Sequence, residues 1–215
     1  MLHAFGDVAL PLLETAEVME RIAKHYLTSF LDRIVPIVNA FPQSKRAKKC
    51  DKKKLTNEIV LKAIEDPEKN LRAQDIISFL NRNKKMENAD TEDLDDEDLL
   101  AAMDEPSFHE ETKSKITTER LHYRDGLTKN MTTDDYFFFT ECSKISFTKP
   151  KKRKKFLKWA NMESYNLKCD NDTVDLIGYL VYEHLEEIVR KIRAENPLRE
   201  GPIVPSLLES FVNKM

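Results

Sequence analysis

Cys142 beside Glu141 is the best candidate nucleophile in the sequence, and the residues around it argue against catalysis. A cysteine attacks as its thiolate and needs a base in reach, most often histidine. No histidine lies within sixteen residues of Cys142. The other thiols, Cys50 and Cys169, and the histidines His3, His25, His109, His122 and His184 are scattered. No CxxC, HxxxH or Cys–His grouping results, so neither a zinc site nor a redox pair is expected. These residue types predict a chain that is not an enzyme, with no catalytic residue, cofactor, metal or small-molecule substrate.

Charge carries more information. The 35 Lys and Arg residues nearly balance the 38 Asp and Glu, for a net charge of -3, which excludes a uniformly basic nucleic-acid binder. The charges are nevertheless segregated. Gln43 to Lys54 holds seven Lys or Arg residues and Lys149 to Lys158 holds seven more. Each run reads either as a solvated loop or as a phosphate-contacting surface. In the second reading Lys151, Lys152, Arg153, Lys154 and Lys155 are the candidate DNA contacts, and DNA is a secondary partner. Residues 87 to 111 hold twelve acidic and no basic residues, which predicts extended or disordered chain. Leu94, Leu99, Leu100 and Met103 allow one amphipathic turn there. The run Asp90 to Asp98 has the charge to face a basic partner or to shield the second lysine run.

The elements that would position these groups are helical. Charged residues make up 34% of the chain while Gly numbers 4 and Pro 9, a balance of long solvated helices. Val18, Ile22, Tyr26, Phe30 and Ile34 mark a first long helix over 13–38, which Pro36 and Pro42 end or kink. A short helix follows Thr56, another carries Leu71 to Leu80, and order returns near Met131 after the acidic stretch. There Thr132 or Thr133 caps a helix whose aromatics Tyr136 to Phe139 require burial, and Phe156 and Trp159 share one face of a short helix. Asn171 or Asp172 caps a second long helix marked by Val174, Ile177, Val181, Leu185, Ile188 and Ile192. Pro205 opens the last short one. No apolar run approaches the roughly 20 residues that span a bilayer, and no signal-peptide pattern opens the chain, so no membrane association is expected.

Both halves therefore repeat the order long helix, loop, short helix, over 1–86 and 131–215, with an acidic linker over 87–130. A helix of about 25 residues extends ~37 Å, too far for the two short helices beside it to cover all its apolar positions. Crossing the two long helices buries both stripes. Val18, Ile22, Tyr26 and Phe30 should then meet Ile177, Val181, Leu185 and Ile188, with Gly178 admitting a close approach at the crossing.

Several blocks add a resemblance. Met1-Leu-His-Ala-Phe-Gly-Asp7 (Phe5, Gly6 and Asp7 above all), Leu55-Thr-Asn-Glu-Ile-Val60 and Glu65-Asp-Pro67 match in the front half. In the back half Asp135-Tyr136, Glu141-Cys142, Ser146-Phe147-Thr148, Lys154-Lys-Phe156, Trp159-Ala160 and Asp175-Leu-Ile-Gly-Tyr-Leu180 match. The chain resembles the SAGA coactivator subunit family called suppressor-of-Ty three. That family is similar in front to TATA-binding-protein-associated factor thirteen and behind to factor eleven. The resemblance implies two histone-fold halves in one chain, paired in an intramolecular handshake, in an all-α protein. It further implies a nuclear transcription coactivator subunit that binds TATA-binding protein and other SAGA subunits and helps deliver that protein to RNA polymerase II promoters. The alternatives are a TFIID-type histone-fold subunit, disfavoured because those factors are separate chains, and a histone-fold DNA-binding protein. Two departures stand out. Phe139 occupies a tryptophan position, and the chain begins where the family's first short helix is already complete. Either the reading frame starts late or the front half lacks most of that helix; a real loss would leave the apolar face of residues 18 to 34 partly uncovered and solubility dependent on a partner.

Overall fold

Thr15, Val18, Met19, Ala23, Leu27, Phe30, Leu31, Ile34 and Val38 recur at steps of three and four, which puts every buried side chain of the helix Leu13–Ala40 (α1) on one stripe. Pro36, expected to end or kink this helix, lies inside it. Its missing N–H forfeits one backbone bond, while burial of Ile34 and Val38 on either side favours continuation.

The structure is a computed structural model and describes residues 1–40, 52–88, 115–196 and 201–213. A 3-10 turn, His3–Phe5, precedes α1. Then come β1 (Lys53–Leu55), α2 (Asn57–Lys62), α3 (Pro67–Asn88), α4 (Lys115–Thr128), α5 (Thr133–Ser143), α6 (Arg153–Trp159), a second 3-10 turn (Met162–Tyr165), β2 (Leu167–Cys169), α7 (Asn171–Glu195) and α8 (Pro205–Val212). The described chain is mostly helical, as the composition predicts. Pro205 stands in the first turn of α8, where its missing N–H costs nothing.

Local details differ from expectation. Asp170, rather than Asn171 or Asp172, caps α7: its Oδ1 accepts from the Thr173 amide at 2.9 Å and from Thr173 Oγ1 at 2.7 Å. Thr132 caps α5, accepting from the Asp135 amide at 3.2 Å. Thr56 occupies the N-cap position of α2 but makes no side-chain capping bond. The segment expected to be linker up to residue 130 contains α4. Its polar sequence is held by ion pairs to α7 rather than by an apolar stripe, which is why periodicity did not reveal it. Gln43 to Asp51, Asp90 to Asp98 and the residues Leu94, Leu99, Leu100 and Met103 lie outside the described residues.

The two long helices begin at Leu13 and Asn171, so position n of α1 corresponds to n + 158 of α7. In that register Thr15, Val18, Met19, Ala23, Leu27, Phe30, Leu31 and Ile34 fall on Thr173, Leu176, Ile177, Val181, Leu185, Ile188, Val189 and Ile192, and all sixteen are buried. Tyr26 falls on His184, and these two stack near the midpoints of the helices, ring centroids 4.1 Å apart and 13° from parallel. The ends are exchanged. After α1, β1 pairs in parallel with β2, which precedes α7, matching Lys53 to Leu167 and Leu55 to Cys169. At the other end the loop after α7 closes onto the start of the chain: Thr15 Oγ1 donates to Ile203 O at 2.5 Å and the Ile203 amide to Asp7 Oδ1 at 3.0 Å. One continuous core joins both helices. Of the residues expected at the crossing, Val18, Phe30, Ile177, Val181, Leu185 and Ile188 are buried in it, and Ile22 and Tyr26 are half-buried at its edge.

Candidate protein-binding surface

The residues singled out by the resemblance divide into those that hold the fold and those that reach its surface. Phe5 is buried, edge-on to Tyr182 with centroids 4.7 Å apart. Gly6 has φ 107°, and a side chain there would run into the Tyr123 hydroxyl. That hydroxyl donates to Phe5 O at 3.2 Å. Asp7 is buried and accepts three bonds on Oδ1: from its neighbour's amide on Val8 at 2.9 Å, from Ile203 and, at 2.7 Å, from Arg193 Nη2. Phe5-Gly6-Asp7 is thus a clasp joining the front of the chain to the end of α7.

Ser146 Oγ accepts from the Thr148 amide at 3.2 Å, a local turn that drives the buried Thr148 against α7. Gly178 meets Thr148 there: a Cβ on Gly178 would collide with Thr148 Cγ2, so the nearest approach at this glycine is that of the Ser146–Thr148 turn, where the sequence alone suggests α1. Cys142, in the last turn of α5, is half-buried. Cys169, in β2, is a thiol that burial pushes up to about 12, with Asp170 adding to the effect. Such a group is inert near neutral pH.

The second lysine run separates by role. Arg153 donates from Nε to Asp175 Oδ1 at 3.0 Å and from Nη2 to Oδ2, a bidentate pair that raises its pKa. It fastens α6 to α7. Lys151, Lys152, Lys154, Lys155 and Lys158 are exposed. Two of them, Lys152 and Lys155, edge a groove of about 530 Å³ with a floor of Met19, Ala23, Phe147 and Trp159. Phe147 lies parallel to Trp159 at 6.5 Å, and Trp159 Nε1 donates to Glu20 Oε1 at 2.8 Å.

Beside it, α5 departs from expectation. Of its four consecutive aromatics, Phe139 is buried under Arg124, whose guanidinium lies 5.8 Å from the ring. Tyr136, Phe137 and Phe138 are 50%, 64% and 48% exposed. Four successive helical residues point about 100° apart and fan out over roughly 300°, so one helix face cannot bury them all. Exposed aromatics on this scale belong to binding surfaces.

Sequence reasoning missed the charged cluster that fastens α3 and α4 to α7. Arg72 pairs with Glu183 and donates to Tyr179 Oη at 2.7 Å. Arg120 pairs with Glu186 and lies 3.5 Å from Glu183, and Lys69 pairs with Glu187 at 2.7 Å. Burial pushes the Glu183 carboxyl up, against the pull of Arg72 and Lys69. Burial acts the same way on Glu187, but hydrogen bonds from Lys191 and Lys69 outweigh it and hold that carboxyl at about 2. The signal was available as Glu183, Glu186 and Glu187 interrupting the mostly apolar stretch from Leu176 to Val189. Among the described residues no group of His, Cys, Asp and Glu could hold a metal ion, and no helix is long and apolar enough to cross a membrane.

Comparison with known proteins bears on what such a surface serves. The chain is 40% identical over 68 residues to the SAGA complex subunit Spt3 of Schizosaccharomyces pombe, covering 31% of this chain and 22% of that one. It is 30% identical over 121 residues to the SAGA complex subunit SPT3 of Saccharomyces cerevisiae, covering 54% and 32%. It is 29% identical over 108 residues to the Protein SPT3 of Kluyveromyces lactis, covering 50% and 29%. The matched segments thus span less than a third of each relative. No family profile matches the chain. No solved structure does either.

Proposed function

We propose that this chain is a non-catalytic subunit of a SAGA-type transcription coactivator complex, acting in the nucleus by binding TATA-binding protein and supporting its delivery to RNA polymerase II promoters. The observation that carries the reading is the similarity to three proteins named Spt3, two of them named as SAGA subunits. In this reading the chain is a pair of histone-fold halves fused in one polypeptide, and three features support that: the equivalent buried stripes of α1 and α7, their meeting at Tyr26 and His184, and the exchange of end segments. Fusion favours an Spt3-type subunit over the separate factors of TFIID. The activity is recognition, delivered by rigid helix faces and exposed aromatics, with no bond made or broken.

Gentle purification of the tagged endogenous protein with identification of its companions by mass spectrometry tests this. SAGA subunits together with TATA-binding protein are expected; recovery of TFIID subunits without SAGA ones would overturn the assignment. The exposed Lys151, Lys152, Lys154, Lys155 and Lys158 favour DNA contact as a second reading. A gel shift that finds no binding at low salt removes it.

A further inference from the structure

Helix α7 has no exposed residue between Asp172 and Arg190, whereas the equivalent stretch of α1 is open along one side, including Arg21, His25 and Ser29. The register explains the difference. Tyr179, Glu183 and Glu187 of α7 are the residues to which α3 is tied through Arg72 and Lys69. Subtracting 158 gives Arg21, His25 and Ser29, and Leu180 becomes Ile22. These four line a groove of about 660 Å³ on α1, closed on its far sides by His184 and Ile188 of α7 and by Val212 of α8. The groove is therefore the seat on α1 that corresponds to the one α3 fills on α7. In the front half the chain passes from α2 through four residues into α3, whose Asn70 Nδ2 donates back to Leu61 O at 2.7 Å. In the back half α8 corresponds to α2, and among the described residues no helix fills the seat beside it.

We propose that this groove on α1 is the docking site for an amphipathic helix of a partner protein that lies there as α3 lies on α7 and carries carboxylates along one edge. The apolar wall, Ile22, Tyr26, Ile188 and Val212, calls for a stripe like that of Ala73, Ile76, Ile77 and Leu80 in α3. The polar edge is reversed in charge. Where α3 brings Lys69 and Arg72 to Glu187 and Glu183, the groove offers Arg21 and His25, so the occupant brings acids. Arg21 already pairs with Glu209 at 3.0 Å, but both side chains are more than half exposed, and such a pair gives way at little cost. The chain's own acidic stretch has the charge without the stripe: between Asp90 and Pro106 its large apolar residues are Leu94, Leu99, Leu100 and Met103, which do not repeat at the spacing of Ala73, Ile76, Ile77 and Leu80.

The probe is a synthetic peptide of residues 66–81 carrying Lys69→Glu and Arg72→Glu, titrated into the full chain by fluorescence anisotropy. It should bind at least tenfold more tightly than the unmodified peptide. Ile22→Arg, and separately Val212→Glu on the opposite wall, should each weaken it at least tenfold while the chain keeps its helix content and a cooperative thermal transition. If one variant fails to fold, the other reads the result. No binding at millimolar peptide, or binding indifferent to both walls, overturns the proposal. Tighter binding after deletion of residues 90–111 would give the groove to the chain's own acidic segment. A dimer in sedimentation that Ile22→Arg dissociates would give it to a second copy; either result removes the partner helix.

Discussion

Gly178 sits where a single methyl group has no room, because Thr148 Cγ2 occupies the space a Cβ would need. Gly178→Ala should therefore destabilise the protein by about 1–3 kcal/mol, the usual cost of overpacking a filled site. Thr148→Ser removes the offending methyl, so the double variant should recover part of that loss in urea unfolding. Additive effects of the two changes would refute the contact. A different residue sets a pH dependence. Burial, with Lys69 close by, brings His184 down from 6.5 to about 4, Glu187 pulling it up and Lys191 pushing it down. The unfolded chain takes a proton at about 6.5 that the fold refuses until about 4. Stability is complete above that window and falls as pH drops through it. His184→Phe keeps a ring against Tyr26 and removes the titration. The wild type should accordingly lose more melting temperature than the variant between pH 7 and 4.5, with a difference on the order of 1–3 kcal/mol at the low end. Parallel curves would show that His184 titrates normally.

At the scale of elements, what could be read in the sequence followed apolar periodicity. The stripes of α1 and α7 are continuous, and their limits were legible to within two residues at most ends. Helix α4 was not legible, because its contacts are Arg120 to Glu183 and Glu186, Glu119 to Arg190 at 3.5 Å, and the Tyr123 hydroxyl to Phe5 O. Polar anchors leave no period. The two short strands escaped for a similar reason: Lys53–Leu55 reads as the tail of a lysine run until Leu167–Cys169 is brought beside it. Gly178 was legible as a close approach, but the approaching segment was not, since the Ser146–Thr148 turn is distant in sequence. The polar anchoring of α4 has a testable consequence. Arg120→Ala leaves Glu186 buried without that cation, a change that costs about 3–5 kcal/mol when a buried pair loses one member. Adding Glu186→Gln should return part of it. Amide exchange in residues 115–128 should accelerate at least tenfold in the single variant while the centres of α1 and α7 stay protected. Equal acceleration in all three helices would mean that α4 is an integral part of the core rather than a strap on it.

For the whole molecule, the consequence of the n + 158 register is that neither half has a core of its own. The stripe of α1 is covered by α2, α7 and α8, and that of α7 by α1, α2, α3, α6 and α8, so each long helix borrows from the other half. The end segments deepen the dependence. β1 has its strand partner in the back half, and Asp7 finds Arg193 and the Ile203 amide there. At about 25 cal/mol per Å² of apolar surface, uncovering one long stripe removes more than the 5–15 kcal/mol by which a domain is normally stable. Residues 1–88 and 115–215 expressed apart should each lack a cooperative thermal transition and should aggregate. Expressed together, they should purify as a one-to-one complex with the helix content of the intact chain and a concentration-dependent melting temperature, since association now carries an entropy cost that the covalent link had removed. A cooperative transition in either piece alone would mean that its stripe finds cover within its own half. The equivalence of α1 and α7 would then be a likeness of pattern without shared energetics.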